Sequence, residues 1–164
     1  MEKAENVTEN GGENTQEKRY FAKVLWGGLL KSRKSAALPG AKIYPPTLTN
    51  SDLANIKIAK EMGVTGVMQP FVRDHSDLEC VKEALREAGA EDIRLFAKIE
   101  NMDGVRKLEK LLPAADEIVI ARGDLGNAVH LWDLPGVQRQ IAEKCRAAGK
   151  PFMVVTQMLA SMER

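Results

Sequence analysis

IRLFAKIEN (93–101) and EIVIARGDLG (117–126) decide how this chain is read, because each is an apolar run that ends in charge. A strand sends successive side chains to opposite faces. In the first run Ile93, Leu95, Ala97 and Ile99 therefore share one face, and Phe96, Lys98 and Glu100 share the other. An ammonium and a carboxylate leave the strand end on the same side. In the second run Ile118, Val119 and Ile120 lead into Arg122, Gly123 and Asp124, with a glycine where a ligand can approach the backbone.

A lysine or carboxylate buried without a partner costs several kcal/mol, so mid-strand charges must pair with each other, reach water or bind something. Two readings follow. Lys98 and Glu100 form a salt bridge in a barrel interior, or Glu100 and Asp124 form a site for a hard divalent cation.

Outward from these runs the chain alternates strand and helix: strand 64–71, helix 76–88, strand 93–100, helix 103–112, strand 117–121, helix 135–148, strand 151–156. Short connections carry Gly89, Pro113 and Gly149-Lys150-Pro151, and such βα alternation makes a parallel sheet. The run FMVV (152–155) predicts a strand buried on both faces. A (β/α) barrel and a doubly wound sheet both satisfy this pattern. The polar groups favour the barrel, since Arg73, Lys98, Glu100, Asp124, Thr156 and Gln157 all fall at or just past the C-terminal ends of successive strands.

Upstream, residues 1–19 are polar and without apolar periodicity, as in a flexible tail. The stretch YFAKVLWGGLLKSRK (20–34) predicts a hairpin turning at Gly27-Gly28. Its basic cluster Lys31, Arg33 and Lys34 reads as a solvated face before a binding site. Thr49 or Ser51 can cap a helix over 52–62 that Gly63 stops.

The 164 residues form one domain or two, and 44% hydrophobic content is ordinary for a globular chain. The 24 basic and 23 acidic residues leave a net charge of +1, which gives no electrostatic case for nucleic acid or a membrane surface and directs attention to small molecules. No stretch is long and apolar enough for a membrane span, and the N-terminus has no signal-like apolar core, so a cytoplasmic protein is expected. Cys80 and Cys145 lie singly in helix-like segments, without the spacing of a zinc site or a disulfide framework.

Taken together, KIEN (98–101), ARGDLG (121–126), AGKP (148–151) and TQMLASM (156–162) resemble the pyruvate kinase family. GGLLKSRKSAALPG (27–40) is similar to that family's exit from the inserted cap domain, and PFVRDHSDLECVKEAL (70–85) to its fourth strand and following helix. The resemblance spans about residues 24–164, in the family's order and spacing. It implies an α/β fold: a partial (β/α)8 TIM barrel of the phosphoenolpyruvate/pyruvate superfamily, about half a barrel. The implied division is a tail over 1–19, a cap remnant over 20–37 and barrel over 38–164.

The same resemblance implies roles for individual residues. Glu100 and Asp124 would ligate Mg²⁺. Lys98 would face the phosphoryl group in flight and the developing enolate. Gly123 and Asp124 would lie against the carboxylate of phosphoenolpyruvate, Gly123 through an accessible amide. Thr156 would bring its hydroxyl near the carbon that is protonated, and Lys34 would lean toward the nucleotide. The implied partners are phosphoenolpyruvate and pyruvate with ADP and ATP, and a homo-oligomer or the remainder of a longer chain.

The sequence departs from the family in several places. The first three barrel strands, with the phosphate-gripping arginine and the ligands of the expected K⁺, are absent, as are the eighth strand and the C-terminal regulatory domain. A full barrel takes about 250 residues. The chain is therefore expected to be part of a longer protein and inactive alone. After ARGDLG, Asn127, Ala128, Val129 and His130 replace the family's acidic residue and proline, which would reshape a substrate-side loop; His130 beside Leu131 and Trp132 reads as packing before ligand. Two other functions fit: a metal-dependent lyase or aldolase of the same barrel superfamily, and a non-catalytic half barrel that binds without turnover.

Overall fold

The computed structural model describes residues 23–29, 31–32, 45–156, 158–159 and 162. The chain divides into two units, Met1–Ala36 and Ala37–Arg164. In the first, the described residues contain no strand: Leu25 and Trp26 form a bend, and Val24, Leu25, Trp26 and Leu29 are exposed. Among these described residues there is no ladder, and the rest of the stretch expected to form a hairpin lies outside the described residues. The predicted tail, Lys34 and Leu38-Pro39-Gly40 lie outside the described residues.

The second unit opens with α1 (Asn50–Ala59). Thr49, not Ser51, is its cap: Thr49 Oγ1 accepts from the Asp52 amide at 3.2 Å, and Asp52 Oδ2 accepts from the Thr49 amide at 2.7 Å. This reciprocal box satisfies donors that a helix start leaves without partners. Gly63, at φ 71, turns the chain after the helix, as its missing Cβ allows.

Then come β1 (Gly66–Gln69), α2 (His75–Glu87), β2 (Arg94–Ile99), α3 (Met102–Arg106), α4 (Leu108–Leu111), β3 (Glu117–Ala121), α5 (Arg122–Ala128), α6 (Leu134–Ala147) and β4 (Phe152–Val155). All neighbouring strands pair in parallel, in the order β1-β2-β3-β4. A doubly wound sheet reverses its strand order at a switch point, whereas a barrel adds strands in sequence. The unreversed order decides between the two, and the unit is part of a β/α barrel.

The register sorts the sheet into two faces. Leu95, Ala97, Ile99, Ile118 and Ile120 are buried, packed against Leu78, Val81 and Leu85 of α2, Leu108 and Leu111 of α4, and Ile141 and Cys145 of α6. Spacings of three and four residues place each helix's apolar side chains along one stripe toward the strands. The opposite face carries Met68, Phe96, Lys98, Val119, Met153 and Val155; apart from Val119 these are half-buried or exposed.

Three further differences from the sequence reading have physical causes. The single helix expected over 103–112 breaks at Lys107 (φ −98, ψ 9), where Val105, Leu108 and Leu111 recur every third residue, a spacing that suits a tighter turn. The strand FMVV is half-buried throughout instead of buried on both faces, because among the described residues it has a strand on one side only. ARGDLG, read as a strand end with a glycine where a ligand can approach the backbone, continues from β3 directly into helix α5. There the wholly buried Leu125 anchors two glycine-containing turns of low intrinsic helicity. Among the described residues no helix is long and apolar enough to cross a membrane.

Candidate active site

The chemistry gathers where β2, β3 and β4 end. Glu100 directly follows β2, and its carboxylate is buried. Lys98, two residues earlier on the same face, brings Nζ to 2.7 Å from Glu100 Oε1, with the lysine side chain 27% exposed and the glutamate side chain 0%. That contact is at ion-pair distance but off the direction of a hydrogen bond, so Oε1 remains a buried oxygen without a hydrogen-bond donor. The other oxygen, Oε2, accepts from the Phe71 amide at 2.7 Å across the β1–β2 boundary. Phe71 has φ 51, a left-handed conformation that disfavours a bulky residue.

On the neighbouring strands, the Gly123 amide donates to Thr156 Oγ1 at 2.9 Å, joining the start of α5 to the residue after β4. A Cβ on Gly123 would lie 3.1 Å from that hydroxyl oxygen, tight enough to push it away. The Gly123 amide, expected to be accessible, is thus engaged within the protein. Thr156 is itself left-handed (φ 67), which is strained for a β-branched side chain. Asp124 is exposed in the first turn of α5 and makes no hydrogen bond or ion pair among the described residues. Ile99 pairs with Ile120, so the strand ends bearing Glu100 and Asp124 are direct neighbours. Beside them the Arg122 Nε is buried without a hydrogen-bond partner among the described residues.

Among the described residues no group of three or more His, Cys, Asp or Glu side chains stands together. An ion here would be held by one or two carboxylates and complete its shell with water and substrate oxygens, as Mg²⁺ does. The buried Glu100 Oε1 fits that demand. Lys34, the expected nucleotide contact, and Gln157 lie outside the described residues.

Arg73 belongs to a different arrangement. It forks onto Asp77, with Nη2 2.6 Å from Oδ1 and Nε 3.2 Å from Oδ2, and Thr47 Oγ1 also donates to Oδ1 at 2.6 Å. Burial pushes the Asp77 carboxyl up, but these bonds and the Arg73 amide outweigh it and hold the group at about 2. This cluster ties the start of α2 to the segment before α1.

The sequence reading missed the backbone share of the site, above all the Phe71 amide on Glu100. It also passed over Asn101, which caps α3 through Oδ1 (Gly104 amide, 2.9 Å) and donates from Nδ2 to the Val72 carbonyl at 3.1 Å. An asparagine three residues before a glycine at a helix start was the available signal.

Comparison with known proteins agrees with the geometry. The family model for the pyruvate kinase barrel domain matches residues 8–164. The pyruvate kinase of Bacillus licheniformis is 38% identical over 151 residues, 92% of this chain and 26% of that protein. That of Geobacillus stearothermophilus is 40% identical over 141 residues, covering 86% and 24%. Human pyruvate kinase PKLR is 40% identical over 136 residues, covering 83% and 24%. The chain spans about a quarter of the length of these curated relatives. A barrel-domain match over nearly the whole chain, with relatives at this identity, places the chain in the pyruvate kinase family.

Proposed function

We propose that this chain supplies part of the catalytic barrel of a phosphotransferase that converts phosphoenolpyruvate and ADP to pyruvate and ATP, with residues 20–37 as a cap remnant and 38–164 as barrel. The observation that carries the reading is the buried, hydrogen-bond-free Glu100 Oε1 beside Lys98, at a strand end adjoining those of Asp124, Gly123 and Thr156. Phosphoryl transfer asks for charge neutralisation and alignment more than covalent chemistry.

Glu100 and Asp124 would hold Mg²⁺, which when bound neutralises and aligns the phosphoryl oxygens. Lys98 holds its ammonium toward the phosphoryl group as the bond to the enol oxygen breaks and the bond to ADP forms, and it stabilises the enolate left behind. The substrate carboxylate takes over the donor that the Gly123 amide now gives to Thr156. The Thr156 hydroxyl is thereby released toward the carbon that gains a proton. K⁺ would be held by residues beyond this chain, and the remaining strands by a further chain segment or a second copy.

A graft tests the reading. Residues 24–164 replace the matching segment of the Geobacillus stearothermophilus enzyme, and ATP formation is followed in a coupled assay. ATP formation that needs ADP, phosphoenolpyruvate and Mg²⁺ is expected. A folded graft that forms no ATP but cleaves a 4-hydroxy-2-oxo acid to pyruvate and an aldehyde, with Mg²⁺ and without ADP, favours the aldolase alternative, and one that does neither favours a binding module.

A further inference from the structure

We infer that Asn101 and Gly104 are positioning residues for Glu100: they fix the backbone after β1 so that the Phe71 amide holds one carboxylate oxygen and leaves the other to a divalent cation. The inference rests on the reading of Glu100 as a metal ligand and assigns the residues that make it one.

The connection is continuous. Gly104, in the first turn of α3, donates its amide to Asn101 Oδ1 at 2.9 Å. Asn101 Nδ2 donates to the Val72 carbonyl at 3.1 Å, and Val72 is wholly buried. The next residue back, Phe71, donates its amide to Glu100 Oε2 at 2.7 Å. A Cβ on Gly104 would lie 2.7 Å from the Val72 carbonyl oxygen, a backbone atom that cannot swing aside. Only glycine at 104 lets that carbonyl sit within reach of Asn101.

Energetics explain why such a brace is needed. Phe71 sits at φ 51 with a 60% exposed side chain, so its ring adds little packing to offset a conformation strained for a bulky residue. The charge-assisted bond from its amide to the Glu100 carboxylate works against that strain. An anchor on the neighbouring backbone adds to that bond in holding the turn. Asn101 supplies that anchor one residue away, at Val72. With Oε2 fixed and Oε1 buried without a donor, Glu100 presents one oxygen in one direction. Groups that orient a ligand in this way affect metal affinity about 10- to 100-fold.

Capping of α3 alone is the competing explanation for Asn101, and one substitution separates the two. Asn101→Ser keeps a capping oxygen for the Gly104 amide but cannot reach the Val72 carbonyl. The probe is Mn²⁺, titrated into the 164-residue chain and followed by loss of the free-ion paramagnetic signal. Amide hydrogen exchange at Phe71 is measured in parallel.

Asn101→Ser and Gly104→Ala are expected to weaken Mn²⁺ binding about tenfold or more and to speed exchange at Phe71, while amides in β2 and β3 stay protected. If Asn101→Ser loses protection throughout β2 and β3, Gly104→Ala decides. Parent-like Mn²⁺ binding in the folded Asn101→Ser or Gly104→Ala chain, with binding lost in Glu100→Gln, overturns the positioning role and leaves Glu100 a ligand. No Mn²⁺ binding by the parent, or binding unchanged in Glu100→Gln, overturns the metal reading and the inference with it.

Discussion

The two faces of the sheet are built from the same strands and differ in what covers them. The helix-side face is finished: Leu95, Ala97, Ile99, Ile118 and Ile120 are at most 1% exposed under α2, α4 and α6. The opposite face has the composition of an interior but, among the described residues, lacks the cover of one. Met68 is 53% exposed, Phe96, Met153 and Val155 are half-buried, and Lys98 points into the same space. Apolar side chains that give up little water contribute little stability, so the first face carries the fold. The rim chemistry sits on the unfinished side.

The largest effect should come from breaking the finished face. Ile120→Ala, which leaves a cavity beneath the helices, is expected to lower unfolding free energy by about 2–5 kcal/mol in urea denaturation. Met68→Ala on the open face should cost under about 1 kcal/mol. Equal losses would mean that the open face is covered in solution.

A second test uses acid. Because hydrogen bonds hold Asp77 at about 2 against an ordinary 3.8, its contribution is present above pH 3.8 and disappears as pH falls through 2. Thermal unfolding between pH 4 and 2 should lose about 2 kcal/mol through this group, and Asp77→Asn should flatten that part of the profile. The smallest effect concerns the α1 cap. Thr49→Ala removes the hydroxyl that accepts from the Asp52 amide, while the Thr49 amide still donates to Asp52, and should lower stability by about 1 kcal/mol, read by the same denaturation. A negligible change would place α1 outside the cooperative unit.

Particular residues show what the sequence made legible. The period-two split of 93–100 anticipated the faces of β2, and β3 begins and ends at Glu117 and Ala121 as the apolar run predicted. Lys98 and Glu100 were visible as candidates because charge interrupts apolar strands only for a reason. Other features followed from tertiary context. Nothing in the glycine-containing ARGDLG favours helix, yet the burial of Leu125 imposes one. The Phe71 amide on Glu100 is a backbone group, and side-chain patterns do not reveal where an amide points. Arg73 looked like a rim residue by position, but it forks onto Asp77 four residues on, and Thr47, distant in sequence, joins the same carboxylate.

The most direct test of the account compares two cationic side chains on the open face of β2. Arg94 and Lys98 lie at opposite ends of that strand, each paired with a carboxylate, Arg94 with Glu117 at 3.1 Å and Lys98 with Glu100 at 2.7 Å. The measurement is kcat for ATP formation in the grafted enzyme carrying Lys98→Ala or Arg94→Ala. The account predicts a fall of about 10²- to 10³-fold for Lys98→Ala. It predicts a change of about twofold or less for Arg94→Ala, the scale of an exposed ion pair. Unchanged kcat in Lys98→Ala would contradict the account, leaving the Lys98–Glu100 pair a structural bridge.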